Sequence, residues 1–196
     1  MKKKIAILGS TGSIGKTTFE ILKKDKNNFD IILLTTNNNY KEILKQSKEF
    51  KVKNLVINNK KHYASLKKKF KNKKINIYNN FDSFNKKFKS KIDYTMCAIS
   101  GLAGLKPTLA SIKFSKKIAI ANKESLICAW NLIQKKMLKY KTKFIPVDSE
   151  HFSIWSLLKN ESIHSVEKII ITASGGPFLN YKLNKLKNVK PKEAIK

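Results

Sequence analysis

The chain has 196 residues, enough to bury a sizeable core, and 41% of them are hydrophobic. Its charge is lopsided, with 42 basic against 13 acidic residues and a formal net charge of +29. None of the basic residues is arginine, whose planar side chain is the usual ligand for phosphates and bases. The composition excludes a peptide-sized module and predicts solvated lysine faces with weak, non-specific polyanion binding, not a specific nucleic-acid partner.

The N-terminal apolar run stops after four residues, Ile5 to Leu8, too short for a signal sequence or a membrane span. Two cysteines, Cys97 and Cys128, lie in apolar stretches and fit no metal-binding spacing. We therefore expect a cytoplasmic protein with no membrane partner and with both thiols reduced and in the core.

Short apolar runs alternate with segments of helical period. The strands are expected at IAIL from Ile5, IILLTT from Ile31, NLVI from Asn54, INIY from Ile75, IDYTMC from Ile92, KIAIA from Lys117 and KFIPVD from Lys143. Helices are expected between them, the first from about Ile14 to Lys24. This alternation predicts an α/β fold with a Rossmann-type, doubly wound, mainly parallel sheet. After Asp148, SEHFSIWSLL predicts a short helix, SVEKIIITAS from Ser165 another strand, and SGGPF a glycine turn.

The first strand leads into GSTGSIGKTT, which starts at Gly9. A nucleotide-hydrolysing P-loop needs G-x-x-x-x-G-K-[ST], and the stretch from Gly15 supplies only its second half, because position 10 is serine. The spacing Gly9, Gly12, Gly15 in a first βα turn is typical of a dinucleotide loop, in which glycines let the backbone approach a pyrophosphate.

The end of the second strand bears on the choice of dinucleotide. An acidic residue there would bind the ribose 2′-hydroxyl of NAD, but the sequence is Thr35 and Thr36 followed by three asparagines. NADP is therefore favoured over NAD, and Lys41 is the nearest residue that could add positive charge beside a 2′-phosphate.

Three later motifs follow predicted strands, and each has a plain alternative. ANKES, from Ala121, is a ligand-binding strand end or a capped helix start. Asp148 and Glu150 in PVDSEH are ligands of a hard divalent cation or acids at a helix N-terminus. Ser174 in ITASGGPF contacts a phosphate or sugar, or belongs to a simple turn.

Taken in this order, GSTGSIG, ANKES, PVDSEH and TASGGPF resemble the 1-deoxy-D-xylulose 5-phosphate reductoisomerases, and the resemblance runs from Met1 to Lys196. It implies NADPH- and metal-dependent rearrangement and reduction of that sugar phosphate to 2-C-methyl-D-erythritol 4-phosphate, in isoprenoid biosynthesis. It also implies Mg²⁺ or Mn²⁺ as the metal and a homodimer. The implied domains are an NADPH-binding domain, 1–147, and the start of an α+β catalytic domain, 148–196.

Matched motif by motif, the resemblance implies four groups of site residues. Those for NADPH are Thr11, Gly12, Ser13, Ile14, Asn37, Asn38, Asn39, Asn122 and Glu124. Those for the substrate are Lys123, Ser149, Glu150 and Ser174. The metal ligands are Asp148 and Glu150, and the catalytic residues are Lys123 and Glu150.

The chain departs from that family in two ways. Its members commonly have a Gly-Lys-Asn type stretch where this chain has Asn37 to Asn39, so the lysine of that stretch is absent as a partner for the 2′-phosphate. They also continue past Lys196 into further substrate contacts and a third metal carboxylate, and only five residues follow Pro191, so we expect a truncated chain. The alternatives are an inactive remnant that binds NADPH or polyanions, and a short-chain dehydrogenase, whose Tyr-x-x-x-Lys motif occurs from Tyr63 and Tyr181.

Overall fold

The computed structural model describes residues 1–71, 74–82, 90–171 and 176–194. The chain divides into two compact units, Met1–Asp148 and Ser149–Lys196. No described helix is long and apolar enough to cross a membrane.

The first unit contains a seven-stranded sheet. Its strands are β1 (Lys3–Leu8), β2 (Phe29–Thr36), β3 (Asn54–Ile57), β4 (Asn76–Tyr78), β5 (Ile92–Cys97), β6 (Ser115–Ile120) and β7 (Lys143–Pro146). They pair in the order β4-β3-β2-β1-β5-β6-β7, and every pair is parallel. The strand order reverses between β1 and β5, which is where open α/β sheets bind ligands.

In the described residues, helices follow β1, β2, β3, β5 and β6, as the sequence predicts, and three more lie in the second unit. The helices are α1 (Ser13–Lys23), α2 (Tyr40–Phe50), α3 (Lys60–Lys69), α4 (Leu105–Ser111), α5 (Lys123–Tyr140), α6 (Ser149–Leu158), α7 (Leu183–Leu186) and α8 (Pro191–Ala194). Helices α2 and α5 both end at a lysine in the left-handed conformation, with φ of 55° at Lys51 and 54° at Lys141.

The core lies on both faces of the sheet, because alternate residues of each central strand point to opposite sides. On β1, Ile5 and Ile7 pack with the apolar residues of α1 and α2. Ala6 and Leu8 pack with those that follow β5 and β6, among them Ile112. All four β1 side chains are buried, as expected for a parallel strand covered on both faces. The α/β, doubly wound prediction is confirmed, and the sheet is wholly parallel.

Two expectations are wrong. The described part of SVEKIIITAS forms no strand, since Ser165 ends a 3₁₀ turn and residues 166–171 carry no regular structure. A strand needs a neighbour for its backbone hydrogen bonds, and no strand occurs in the described residues after Pro146; Ile170 is 75% exposed. Cys128 is also exposed on α5, whereas Cys97 is buried as predicted.

Candidate functional site: a glycine loop at the centre of the sheet

The glycine loop between β1 and α1 is packed too tightly for larger residues. Gly9 has φ of +83°, and a Cβ there would lie 2.7 Å from the Ala98 carbonyl oxygen. A Cβ on Gly15 would collide with the Gly9 carbonyl and lie 2.7 Å from Ser10 Cα. By contrast, a Cβ on Gly12 would meet Gly9 O only at 3.5 Å. Gly9 and Gly15 are therefore required by the fold, whereas Gly12 is not.

Hydrogen bonds tie the loop to the end of β2. The Gly9 amide donates to Thr35 Oγ1 at 2.8 Å, and the Ser10 amide donates to the Thr35 carbonyl at 2.9 Å. The hydroxyls of Thr11 and Thr36 lie 2.7 Å apart. The Gly12 amide closes the turn by donating to Gly9 O at 3.1 Å. These contacts fasten the loop to the end of β2.

Helix α1 begins at this loop and presents an uncapped N-terminus. Its N-cap, Gly12, has no side chain to accept from the first-turn amides, and the first turn contains no acidic residue. Such amides have no partner within a helix, and they stand at the positive end of the helix dipole. Gly12, Ser13 and Ile14 are all exposed, so this end of the helix can bind an anion.

Two cavities flank the carboxyl end of β5, and Ala98, Ile99 and Ser100 line both of them. The larger, of about 570 Å³, extends toward β2 and β3 and is also lined by Thr11, Gly12, Thr36 and Asn37. The smaller, of about 250 Å³, extends toward β6 and is also lined by Ile14, Asn122, Lys123 and Glu124. An elongated ligand crossing the α1 N-terminus would occupy both.

The three asparagines after β2 have different surroundings. Asn37 lines the larger cavity, and Asn38 Oδ1 accepts from Asn59 Nδ2 at 2.9 Å. Asn39 caps α2 by accepting from the Glu42 amide at 3.2 Å. Lys41 is exposed in the first turn of that helix. The predicted adenosine-phosphate region is thus polar, and its nearest exposed cation by sequence is Lys41.

Asn122, predicted as a cofactor contact, has a side chain fully engaged within the protein. It is 3% exposed; its Nδ2 donates to the carbonyls of Ile99 and, at 2.6 Å, Gly101, and its Oδ1 accepts from the Ser125 amide at 2.7 Å. A Cβ on Gly104 would collide with this amide. Asn122 therefore fixes the segment that separates the two cavities, and it also caps α5.

The two predicted metal ligands lie on either side of the boundary between the units. Asp148 is the last residue of the first unit, two residues after β7, and Glu150 is in the first turn of α6. Carboxylate oxygens suit Mg²⁺ and Mn²⁺. Within the described residues, however, no group of three or more His, Cys, Asp or Glu side chains could hold a metal ion.

Burial determines the chemistry of the one thiol close to the site. Burial raises the pKa of Cys97 to about 11, although hydrogen bonds from Thr108 and Ser111 act in the opposite direction. The thiol is thus protonated at neutral pH and does not act as a nucleophile. It is a core residue at the end of β5.

Two family models cover most of the chain. The model described as 1-deoxy-D-xylulose 5-phosphate reductoisomerase matches residues 5–130, and the model of that enzyme's C-terminal domain matches residues 144–196. The chain belongs to the 1-deoxy-D-xylulose 5-phosphate reductoisomerase family.

Individual family members agree with this assignment. The reductoisomerase of Pelagibacter ubique is 59% identical over 99% of this chain and 50% of its own length. The Zymomonas mobilis reductoisomerase in complex with NADPH superposes with a TM-score of 0.83 at 35% identity, over 100% of this chain and 52% of that one. A reductoisomerase in complex with NADPH, fosmidomycin and magnesium gives 0.78 at 30% identity, over 99% and 50%. The chain spans about half the length of the relatives it matches.

The structure brings most of the sequence-predicted site residues to one edge of the sheet. Thr11, Gly12 and Asn37 line the larger cavity, and Ile14, Asn122, Lys123 and Glu124 line the smaller one; Ser13, Asn38 and Asn39 lie beside them in sequence. Ser149 and Glu150 belong to the second unit. Ser174 lies outside the described residues.

Sequence reasoning missed the residues that support the loop from behind. The hydroxyls of Thr35 and Thr36 are among them. The sequence indicates them only by placing two hydroxyl residues at the end of an apolar strand. Gln46 on α2 is another, since it donates to the Ser10 carbonyl at 2.9 Å. It also missed the rim of the larger cavity, where Lys106 and Asp82 form an ion pair of 3.1 Å.

Proposed function

We propose that this chain provides the NADPH-binding domain, residues 1–147, and the first part of the catalytic domain, residues 148–196, of a 1-deoxy-D-xylulose 5-phosphate reductoisomerase. The observation that carries the proposal is the uncapped α1 N-terminus between two cavities at the point where strand order reverses. Membership of the family, and relatives solved with NADPH and with magnesium, support it.

The cofactor would lie across the glycine loop. The pyrophosphate would accept from the amides of Thr11 to Ile14, since these stand at the positive helix end. Adenosine would occupy the larger cavity, with its 2′-phosphate near Asn37, Asn38 and Asn39. The nicotinamide would occupy the smaller cavity, beside Asn122 and Glu124.

In the proposed reaction, 1-deoxy-D-xylulose 5-phosphate is rearranged and reduced to 2-C-methyl-D-erythritol 4-phosphate. When bound, NADPH supplies the hydride, and Mg²⁺ or Mn²⁺ polarises oxygens of the sugar. Lys123 would place its ammonium group beside substrate oxygens at the smaller cavity. Ser149 and Ser174 would donate hydrogen bonds to the substrate.

Asp148 and Glu150 would supply two carboxylates to the metal, and Glu150 would also contact the substrate. Two carboxylates are fewer than the six oxygen ligands of a magnesium ion, and the described residues contain no group of three acidic, His or Cys ligands. We therefore expect the 196-residue chain to bind NADPH with little turnover. We also propose that the active enzyme is a cytoplasmic homodimer.

Cofactor binding is tested by NADPH fluorescence titration, with NADH as the comparison, at low and high salt. NADPH and NADH differ only in the 2′-phosphate. A pocket that recognises this group should still prefer NADPH at high salt. Binding that shows no such preference and collapses steeply with salt would indicate a polyanion-binding surface instead and would overturn the proposal.

Lys41 can be tested in the same titration. Lys41→Gln should reduce NADPH affinity several-fold and leave NADH affinity unchanged, because only NADPH has the 2′-phosphate. Lys45→Gln is the matched control, since Lys45 is exposed one turn further along α2. Equal effects of the two variants would place the 2′-phosphate elsewhere.

Turnover is tested by NADPH oxidation with 1-deoxy-D-xylulose 5-phosphate and Mn²⁺. Full turnover by the 196-residue chain would contradict the expectation of an incomplete metal site. It would also make Asp148→Asn and Glu150→Gln informative, since each should then abolish the reaction while leaving NADPH binding intact.

A further inference from the structure

Helix α2 contributes one buried amide to the glycine loop. Gln46 is 2% exposed, and its Nε2 donates to the carbonyl oxygen of Ser10 at 2.9 Å. The two residues are 36 positions apart in sequence. We propose that Gln46 is a positioning residue that sets the direction of the Ser10–Thr11 peptide, and through it the direction of the Thr11 amide offered to a pyrophosphate. This inference rests on the proposed function for the identity of the ligand.

The geometry of the peptide bond makes the link. A trans peptide is planar, so its C=O and N–H point in opposite directions, and the described chain has no cis peptide bond. Because Gln46 holds the Ser10 carbonyl toward α2, the Thr11 N–H points away from α2. Thr11 itself lines the larger cavity. Among the described residues, no acceptor is found for this N–H.

The neighbouring peptides of the loop are fixed by other contacts. The amides of Gly9 and Ser10 both donate to Thr35, and the Gly12 amide donates to Gly9 O. For the Ser10 carbonyl, the one side-chain hydrogen bond found in the described chain comes from Gln46. A loop held in its binding conformation pays less conformational entropy when the ligand arrives.

The Gln46 side chain leaves one of its own polar atoms unsatisfied. Gln46 Oε1 is buried and has no hydrogen-bond partner within the described residues, and an unsatisfied buried acceptor is unfavourable. An apolar side chain of similar length would remove this orphaned oxygen, but it would orphan the Ser10 carbonyl instead. The number of unsatisfied acceptors is then unchanged, so stability alone gives little reason for glutamine at this position.

This balance separates the proposed role from a purely structural one. Gln46→Met keeps the side-chain volume and removes the donor. We expect its melting temperature to stay close to that of the parent chain, while NADPH affinity falls roughly five- to tenfold, the equivalent of one hydrogen bond. Adenosine 2′-monophosphate, which lacks the pyrophosphate, should bind both proteins equally.

Ser47→Ala is the matched control. Ser47 is the next residue of the same helix, is also 2% exposed, and donates its hydroxyl to the Val52 carbonyl at 2.9 Å, away from the loop. Its loss should lower the melting temperature by about 2–4 °C and leave the affinity for NADPH unchanged.

Amide NMR spectra of the ligand-free 196-residue chain complete the experiment. Gln46→Met should shift the resonances of Thr11 and Gly12, and Ser47→Ala should not. If the parent chain bound no NADPH, the proposed function would fail, but the Thr11 shift would still decide whether Gln46 orients the loop.

Three results would overturn the inference. One is unchanged NADPH affinity together with an unmoved Thr11 resonance in Gln46→Met. Another is an equal loss of affinity for NADPH and adenosine 2′-monophosphate, because that would indicate general damage to the cavity. The last needs no variant: rapid hydrogen exchange of the Gln46 side-chain amide in the parent chain would show that the bond to Ser10 is not held.

Discussion

Gly15→Ala is expected to damage both the fold and the site. The added methyl would lie 2.7 Å from Ser10 Cα and 2.8 Å from Ser10 C, whereas ordinary contact begins at 3.4 Å. Alanine in a helix is favoured over glycine by about 1 kcal/mol, but the clash is with backbone atoms that cannot rotate away. Overpacking of this kind costs about 1–3 kcal/mol, so we expect a net loss of up to roughly 2 kcal/mol.

Gly12→Ala provides the comparison within the same loop. Its Cβ would contact Gly9 O at 3.5 Å and Ala98 O at 3.9 Å, and the backbone at φ of −78° and ψ of 175° accepts any residue. Alanine is a poorer N-cap than glycine, so a loss of at most about 1 kcal/mol is expected. The methyl would nevertheless stand at the proposed pyrophosphate site, so NADPH affinity should fall at least tenfold, as we also expect for Gly15→Ala.

The assays are urea unfolding, followed by circular dichroism, and NADPH fluorescence titration. A gain in stability of about 1 kcal/mol in Gly15→Ala, the helix-propensity effect alone, would refute the packing argument. Unchanged NADPH affinity of Gly12→Ala would refute the position assigned to the pyrophosphate, even if both variants folded normally.

Three further variants or treatments test the core and the supporting contacts. Asn122→Ala should lose about 2–4 kcal/mol in urea unfolding, because three hydrogen bonds are removed, one of which caps α5. A loss below about 0.5 kcal/mol, on the order of a surface substitution, would contradict the assigned clamp. The hydrogen bond from Lys116 lowers the pKa of Asp93 in the folded chain. The stabilisation from ionised Asp93 is therefore present above about pH 4 and is lost as the pH falls through the lowered folded-state pKa. Asp93→Asn should remove this part of the pH dependence of unfolding. A thiol reagent at neutral pH should label the exposed Cys128 in the native chain. It should label Cys97, which is buried and has a raised pKa, only in denaturant. Rapid labelling of Cys97 in the native chain would show that β5 opens readily.

The sheet and its helices could be predicted because each depends on local pattern. The run from Ile5 to Leu8 is apolar throughout, as a doubly covered strand must be, and Asn39 and Asn122 cap the helices that follow them. The strand predicted from Ser165 is absent from the described residues, because a strand depends on a partner and not on local pattern alone. Its isoleucines have the composition of a strand, but strand formation requires a partner, and composition does not reveal one.

The candidate site could be predicted only as far as its motifs reach. Glycine spacing marks the loop, yet nothing local to the loop identifies Gln46, because a contact across 36 residues depends on how α2 packs. Asn122 shows a different limitation. Its motif marks the right place, but the sequence cannot distinguish a side chain that reaches into the cavity from one that holds the cavity wall. In the structure, the Asn122 side chain holds the wall.

The uncapped start of α1 has a practical consequence for engineering this chain. A serine at position 12 could accept from the helix amides and supply the cap that glycine lacks. It would raise the melting temperature while occupying the donors that a phosphate needs. A search for thermostable variants would therefore select changes at this position that weaken the proposed cofactor binding, so such a search must be paired with a ligand-binding screen.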